Sequence, residues 1–119
     1  MQKDDFIYVA HMLDLARKVL DKTQGLDRWQ YDADENLRLA LAHLIQTIGE
    51  AARRVSTEFR AAHSVILWNQ IVGMRHKVVH DYLDVDYDLV WEVAVVDIPV
   101  LIESLRQILP PDVINSSTG

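Results

Sequence analysis

The sequence predicts an all-α domain, an up-and-down bundle of four main helices, and three observations carry that expectation. Apolar residues recur every three or four positions over most of the chain, the spacing of one helix face. No segment shows the strict apolar–polar alternation of a half-buried strand. Glycine, aspartate and paired prolines fall where such helices would begin or stop. Valine-rich `VWEVAVV` resembles a strand in isolation, but it sits inside a longer helical pattern and is read as helix.

Phe6, Val9, Ala10, Leu13, Ala16 and Leu20 form the face of a first helix that ends near Gly25, a residue suited to the left-handed turn that closes helices. The stretch `GLDRWQYDAD` reads as a loop, and Asp32 or Asp34 caps a second helix with Leu37, Leu41, Leu44, Ile48, Ala52 and Val55 on its face. Gly49, Ala51 and Ala52 are small enough for a neighbouring helix to come close. Ser56 to Ser64 is a polar break with room for a short helical turn. A third helix starts between Ile66 and Trp68, and Asp84 or Asp86 caps a fourth with Leu89, Val90, Val93, Val96, Val100 and Leu101 along its face. Pro99 should kink that helix, because proline lacks the N–H for one helical bond and its ring clashes with the preceding turn. Pro110 and Pro111 end it, so residues 1–110 form the domain and 111–119 a flexible tail.

With 119 residues the chain suits one core. Its longest apolar candidate, `VAVVDIPVLI`, is ten residues interrupted by Asp97 and Pro99, too short for a membrane span. The opening `MQKDDFIYV` is acidic where a signal peptide would be basic, and cysteine is absent, so disulfides and thiolate metal sites are excluded and a cytoplasmic location is expected. A net charge of −6 argues against a general nucleic-acid coat. The charge is uneven, however. Arg53, Arg54, Arg60, Arg75 and Lys77 face a single acid between residues 53 and 80, whereas residues 81–103 carry seven acids and neither Lys nor Arg. One side suits a phosphate chain and the other a basic partner, or both are simply solvated faces.

The segment `GMRHKVVHDY` (Gly73 to Tyr82) concentrates the chemistry. On a helical wheel Trp68, Val72, Arg75, Val79 and Tyr82 share one stripe, so Arg75 is expected on the apolar face. A buried guanidinium cannot shed its proton and needs an acid such as Glu50 or Asp81, or a phosphate. His76 and His80 are four residues apart and share a helix face. A zinc protease would have `HExxH`; here Lys77 takes the glutamate's place and no third ligand is marked, so no metal site and no cofactor is assigned. Arg75 and His80 lie about 140° apart on an ideal helix. They meet at one phosphorus only if the helix ends or bends between them, or if a two-fold partner completes the site.

Arg75, His80 and Tyr82 in `RHKVVHDY` form an R-x-x-x-x-H-x-Y pattern that resembles the HepT-like toxins of the HEPN superfamily. Further similar blocks occur in order: `AHMLDLA`, `IGEAARRVS`, `LWNQIVGMRHKVVHDY` and `VDYDLVWEVAVVDIPVL`. The resemblance implies a helical homodimer with its cleft at the two-fold interface. It also implies a metal-independent endoribonuclease acting as the toxin of a toxin–antitoxin pair. The partner would be a minimal nucleotidyltransferase that inactivates the toxin by transferring AMP to Tyr82, with Tyr87 as a nearby alternative acceptor. On this basis His80 is the general base for a ribose 2′-OH and Arg75 stabilises the charged phosphorane. His76, a supporting residue, or the second protomer's His80 protonates the leaving oxygen. DNA, which lacks the 2′-OH, should not be cut. Two alternatives stand beside this. One is a non-catalytic helical dimer that serves the nucleotidyltransferase as scaffold or substrate, with the acidic 81–103 stretch as its docking face; the other is a plain zinc-binding bundle.

Overall fold

The computed structural model describes residues 3–81 and 84–111 and is helical except for one small hairpin. Helix α1 (Lys3–Thr23) carries Asp4 and Asp5 at its positive end and Lys22 in its last turn, charges that match the helix dipole. It stops as expected: the buried Thr23 hydroxyl donates back to the Val19 carbonyl at 3.0 Å, and Gly25 follows at φ +80°. The region read as a loop then contains a short helix, α2 (Arg28–Asp32), set by a capping box. Asp27 accepts from the Gln30 N–H while Gln30 accepts from the Asp27 N–H, each at 2.9 Å. That D-x-x-Q signature was present in the sequence.

Of the two candidate caps for the next helix, Asp34 is the one used, accepting from the Leu37 N–H at 3.0 Å to start α3 (Glu35–Arg53). Helix α3 packs against α1 on one side and against the later helix α5 (Trp68–Val78) on the other. Its buried Leu41, Leu44, Ile48 and Ala52 follow the predicted face. Arg60, on the short α4 (Thr57–Ala62), closes the end of α3 by donating to the carbonyls of Ala52, Arg53 and Val55. This arginine therefore belongs to the scaffold rather than to a basic surface. Ser56 caps α4, and its N–H and hydroxyl both donate to the buried Asp5 carboxylate at 2.7 Å, tying α4 to α1.

Three expectations need correction. First, the chain does form strands: β1 (Val79–Asp81) pairs antiparallel with β2 (Asp84–Val85) directly after α5. Second, the buried face of α5 is Trp68, Ile71, Met74 and Val78, which is rotated from the predicted stripe. Val79 and Tyr82 were counted as helical neighbours of Arg75, yet α5 ends at Val78; without them the apolar face centres on Ile71 and Met74. Arg75 consequently lies at the edge of that face, half exposed.

Third, the irregularity in the last helical stretch lies before Pro99. Asp86 caps α6 (Tyr87–Glu92), accepting from Leu89 at 3.0 Å, and a π-helical segment (Val93–Asp97) leads into α7 (Ile98–Ile108). The Ile98 N–H reaches back to the Val93 carbonyl, a five-residue step, and Pro99 sits at the start of α7. The wider turn gives the proline ring room against the preceding carbonyls, which a regular helix would not. It also turns the face: Ala94, Ile98, Ile102 and Leu105 are buried, while Val96 and Val100, expected inward, are 56% and 66% exposed. With Val65 and Leu67 these valines surround an apolar concavity of about 410 Å³ between α5 and α7.

Tyr31 of α2 is fully buried against Trp91, ring centres 4.8 Å apart, and its hydroxyl donates to the Tyr87 carbonyl at 2.7 Å. Burial pushes its phenol up to about 12, against the pull of Arg28 and Arg38. Arg28, on the surface of α2, pairs with Asp32 and Asp88. No helix among the described residues is long and apolar enough to cross a membrane. The tail expected over 111–119 lies outside the described residues from position 112 onward.

Candidate functional site

The C-terminal half of α3 supplies the floor. Gly49 faces α5 so closely that a Cβ there would lie 3.1 Å from the Ile71 carbonyl oxygen and 3.5 Å from that of Val72. Only glycine permits this approach without one helix yielding. The next residue, Glu50, thereby comes beside α5, and its Oε1 accepts from Arg75 Nη1 at 2.6 Å. Of the acids open to Arg75 in the sequence, Glu50 is the observed partner. Both side chains are about half exposed, at 50% for Arg75 and 44% for Glu50, so this is a surface ion pair and not the buried one expected.

The end of α5 brings the histidines together. Val79 is extended at φ −124°, ψ 107°, its N–H still bonded to the Arg75 carbonyl, and the chain enters β1. The Asp86 N–H donates to the Val78 carbonyl at 2.7 Å and holds the hairpin against the helix end. Pairing runs Val79 to Val85 and Asp81 to Asp84, with a register shift between Val79 and Asp81. His80 sits at that irregularity, and such bulges re-aim the side chain they carry. The helix therefore ends between Arg75 and His80, one of the two solutions that their spacing demanded.

The result is a concavity of about 360 Å³ lined by Gln46, Arg75, His76, Val79, His80, Asp81 and Val85. Within one chain, a guanidinium and two imidazoles border one space sized for a nucleotide-scale group. Arg75, His76 and His80 are all exposed, so a large anionic ligand can reach them. Gln46 and Val85 were not anticipated. Gln46 lies one turn before Glu50 on α3, the one signal that pointed to it, while Val85 enters through the hairpin. Gln46 Nε2 donates to its own helix at the Ala42 carbonyl, 3.1 Å away. Tyr82, the expected AMP acceptor, lies outside the described residues. Among the described residues, no group of three or more histidine, aspartate or glutamate side chains is gathered to hold a metal ion.

The family model for HepT-like ribonucleases matches residues 12–108 of the chain. A Caldanaerobacter subterraneus subsp. tengcongensis protein named as a candidate RNase, TTE0752, is 32% identical over 102 residues, 86% of this chain and 91% of its own. A Thermococcus cleftensis protein named as a candidate ribonuclease HepT is 32% identical over 110 residues, 90% of this chain and 100% of its own. The candidate RNase MJ1380 of Methanocaldococcus jannaschii is 28% identical over 98 residues, 82% of this chain and 90% of its own. No solved structure matches the chain. The match across nearly the whole helical domain, from the first helix to the last, makes this chain a member of the HepT-like family and a ribonuclease.

Proposed function

We propose that this ribonuclease cuts RNA internally, without a metal ion, at the concavity bordered by Arg75 and His80, and that it serves as the toxin of a toxin–antitoxin pair. The observation that carries the reading is that Arg75, His76 and His80 line one exposed space, although five residues separate the arginine from the second histidine. The imidazole of His80 takes the proton from a ribose 2′-OH. The 2′ oxygen then bonds to the adjacent phosphorus and the bond from phosphorus to the 5′ oxygen breaks. His76, or the partner subunit's His80, returns a proton to that 5′ oxygen. The products are a 2′,3′-cyclic phosphate and a 5′-hydroxyl end, and DNA is spared because it has no internal nucleophile. Arg75 neutralises the charge that builds on the phosphorane, and its planar fork keeps N–H groups beyond the one given to Glu50.

Arg75→Ala and His80→Ala should each lower cleavage of a fluorescein-labelled single-stranded RNA by about 100-fold or more. Growth arrest caused by the chain expressed alone should disappear with His80→Ala. A variant that cuts as fast as wild type removes its residue from the mechanism. If neither variant has an effect, the scaffold alternative takes over.

The same reading includes a homodimer and a nucleotidyltransferase antitoxin that transfers AMP to Tyr82. Val65, Leu67, Val96 and Val100, all exposed around one apolar concavity, support a face covered by another chain. Tyr82 lies two residues beyond His80, so an adenylyl group there would bring an anion and a bulky base to the site and occupy Arg75. Native mass spectrometry should give twice the 13.7 kDa chain mass, and co-expression with the nucleotidyltransferase should add AMP to the Tyr82 peptide. A monomeric mass would end the dimer, and an unmodified peptide the modification.

A further inference from the structure

We propose that Glu50 is a positioning residue for Arg75 that sets two properties separately: its reach orients the guanidinium, and its charge restrains how tightly RNA is held. This rests on the assignment of Arg75 to the phosphate.

Three observations support it. The ion pair is short, at 2.6 Å, yet both partners are about half exposed. A pair that open to water adds little to stability. The contact between α3 and α5 is held instead by buried Ile48, Ile71 and Met74 and by the approach at Gly49, so the fold does not need Glu50. Finally, Glu50 is absent from the lining of the concavity that Arg75, His76 and His80 border. It grips the guanidinium from outside the space where RNA would lie.

The chemistry follows from that placement. An arginine on the surface of a helix has a long side chain with many rotamers, and orientation lost at a reacting centre is costly in rate. One carboxylate oxygen on Nη1 fixes the fork and leaves other N–H groups for phosphate. The same carboxylate places a negative charge behind the guanidinium and weakens its attraction for the RNA backbone. Orientation therefore favours turnover, while the added charge opposes ground-state binding.

Three variants separate the two effects. Glu50→Gln keeps an acceptor oxygen at the same reach and loses the charge. Glu50→Asp keeps the charge and falls short by one methylene. Glu50→Ala loses both. Binding is read by anisotropy with a labelled, mixed-sequence oligonucleotide whose riboses are 2′-deoxy and cannot react. Turnover is read on the ribose form of the same oligonucleotide under saturation. Affinity should follow charge: Gln and Ala should bind about three- to tenfold more tightly than wild type, and Asp should match it. Turnover should follow reach: Gln should stay within a few-fold of wild type, while Asp and Ala should fall roughly 10- to 100-fold. Melting temperatures should barely move, and if Ala fails to fold, Gln and Asp still form the contrast. Turnover in Asp equal to wild type, or unchanged affinity in Gln, overturns the proposal. Arg75→Ala is the control: an active Arg75→Ala sinks the site itself, whereas an inactive one beside unaffected Glu50 variants sinks only the role of Glu50.

Discussion

At Gly49 an added methyl group would meet the Ile71 carbonyl oxygen at 3.1 Å, while at Gly73, also inside a helix, it would meet nothing within 4 Å. Glycine in a helix interior costs about 0.5–1 kcal/mol relative to alanine because of its backbone freedom. Gly73→Ala should therefore raise stability by about that amount in urea denaturation. Gly49→Ala gains the same term, but its steric conflict is with backbone carbonyls, which yield only if α5 moves. A net loss of about 1–2 kcal/mol is expected, with slower RNA cleavage because Glu50 shifts relative to Arg75. Equal stability for the two variants would show that the approach of α3 to α5 is not what requires glycine at position 49. The close approach at Gly49 was expected from its size, whereas the role of buried Asp5 was hidden. Its partner Ser56 lies 51 positions away, a distance no local pattern spans.

Helix positions were largely legible from local sequence. The faces of α1 and α3, the stop at Gly25 and the break around Ser56 follow from spacing and capping residues alone. Caps narrowed to two acids were decided by geometry in favour of Asp34 and Asp86. The errors share a cause. A wheel drawn at a constant 100° per residue holds only while the helix continues. It misplaced Arg75 because α5 stops at Val78, and misplaced Val96 and Val100 because a π turn intervenes. The segment after Val78 offers too few residues for strand alternation to register, so β1 and β2 had no readable signature. The candidate site was legible only as residue types: Arg75, His76 and His80 stood out in the sequence, and they line one space. Its construction was not: Glu50 was one of several acids and Gln46 carried little signal.

For the molecule as a whole, the buried phenol of Tyr31 links the small α2 to the start of α6 and makes stability depend on alkaline pH. Its pKa rises from 10.0 to about 12 on folding, with burial as the main cause. A raised pKa means the folded state holds the proton more tightly, so the contribution is complete below about pH 10 and is lost as pH climbs toward 12. Across that window this one group should lower unfolding free energy by about 1.4 kcal/mol per pH unit. Tyr31→Phe, less stable at neutral pH through loss of the hydrogen bond, should show a shallower alkaline decline in denaturant titrations. An identical slope in both proteins would mean that Tyr31 keeps no tighter hold on its proton when folded.

The hairpin after α5 has a mechanical consequence for this architecture. The guanidinium is mounted on two packed helices, but the imidazole of His80 rides on a short ribbon anchored through Val85 and the Asp86 N–H. A small displacement of β1 would move the His80 imidazole and leave Arg75 at rest, so the geometry of the candidate site can change without disturbing the core.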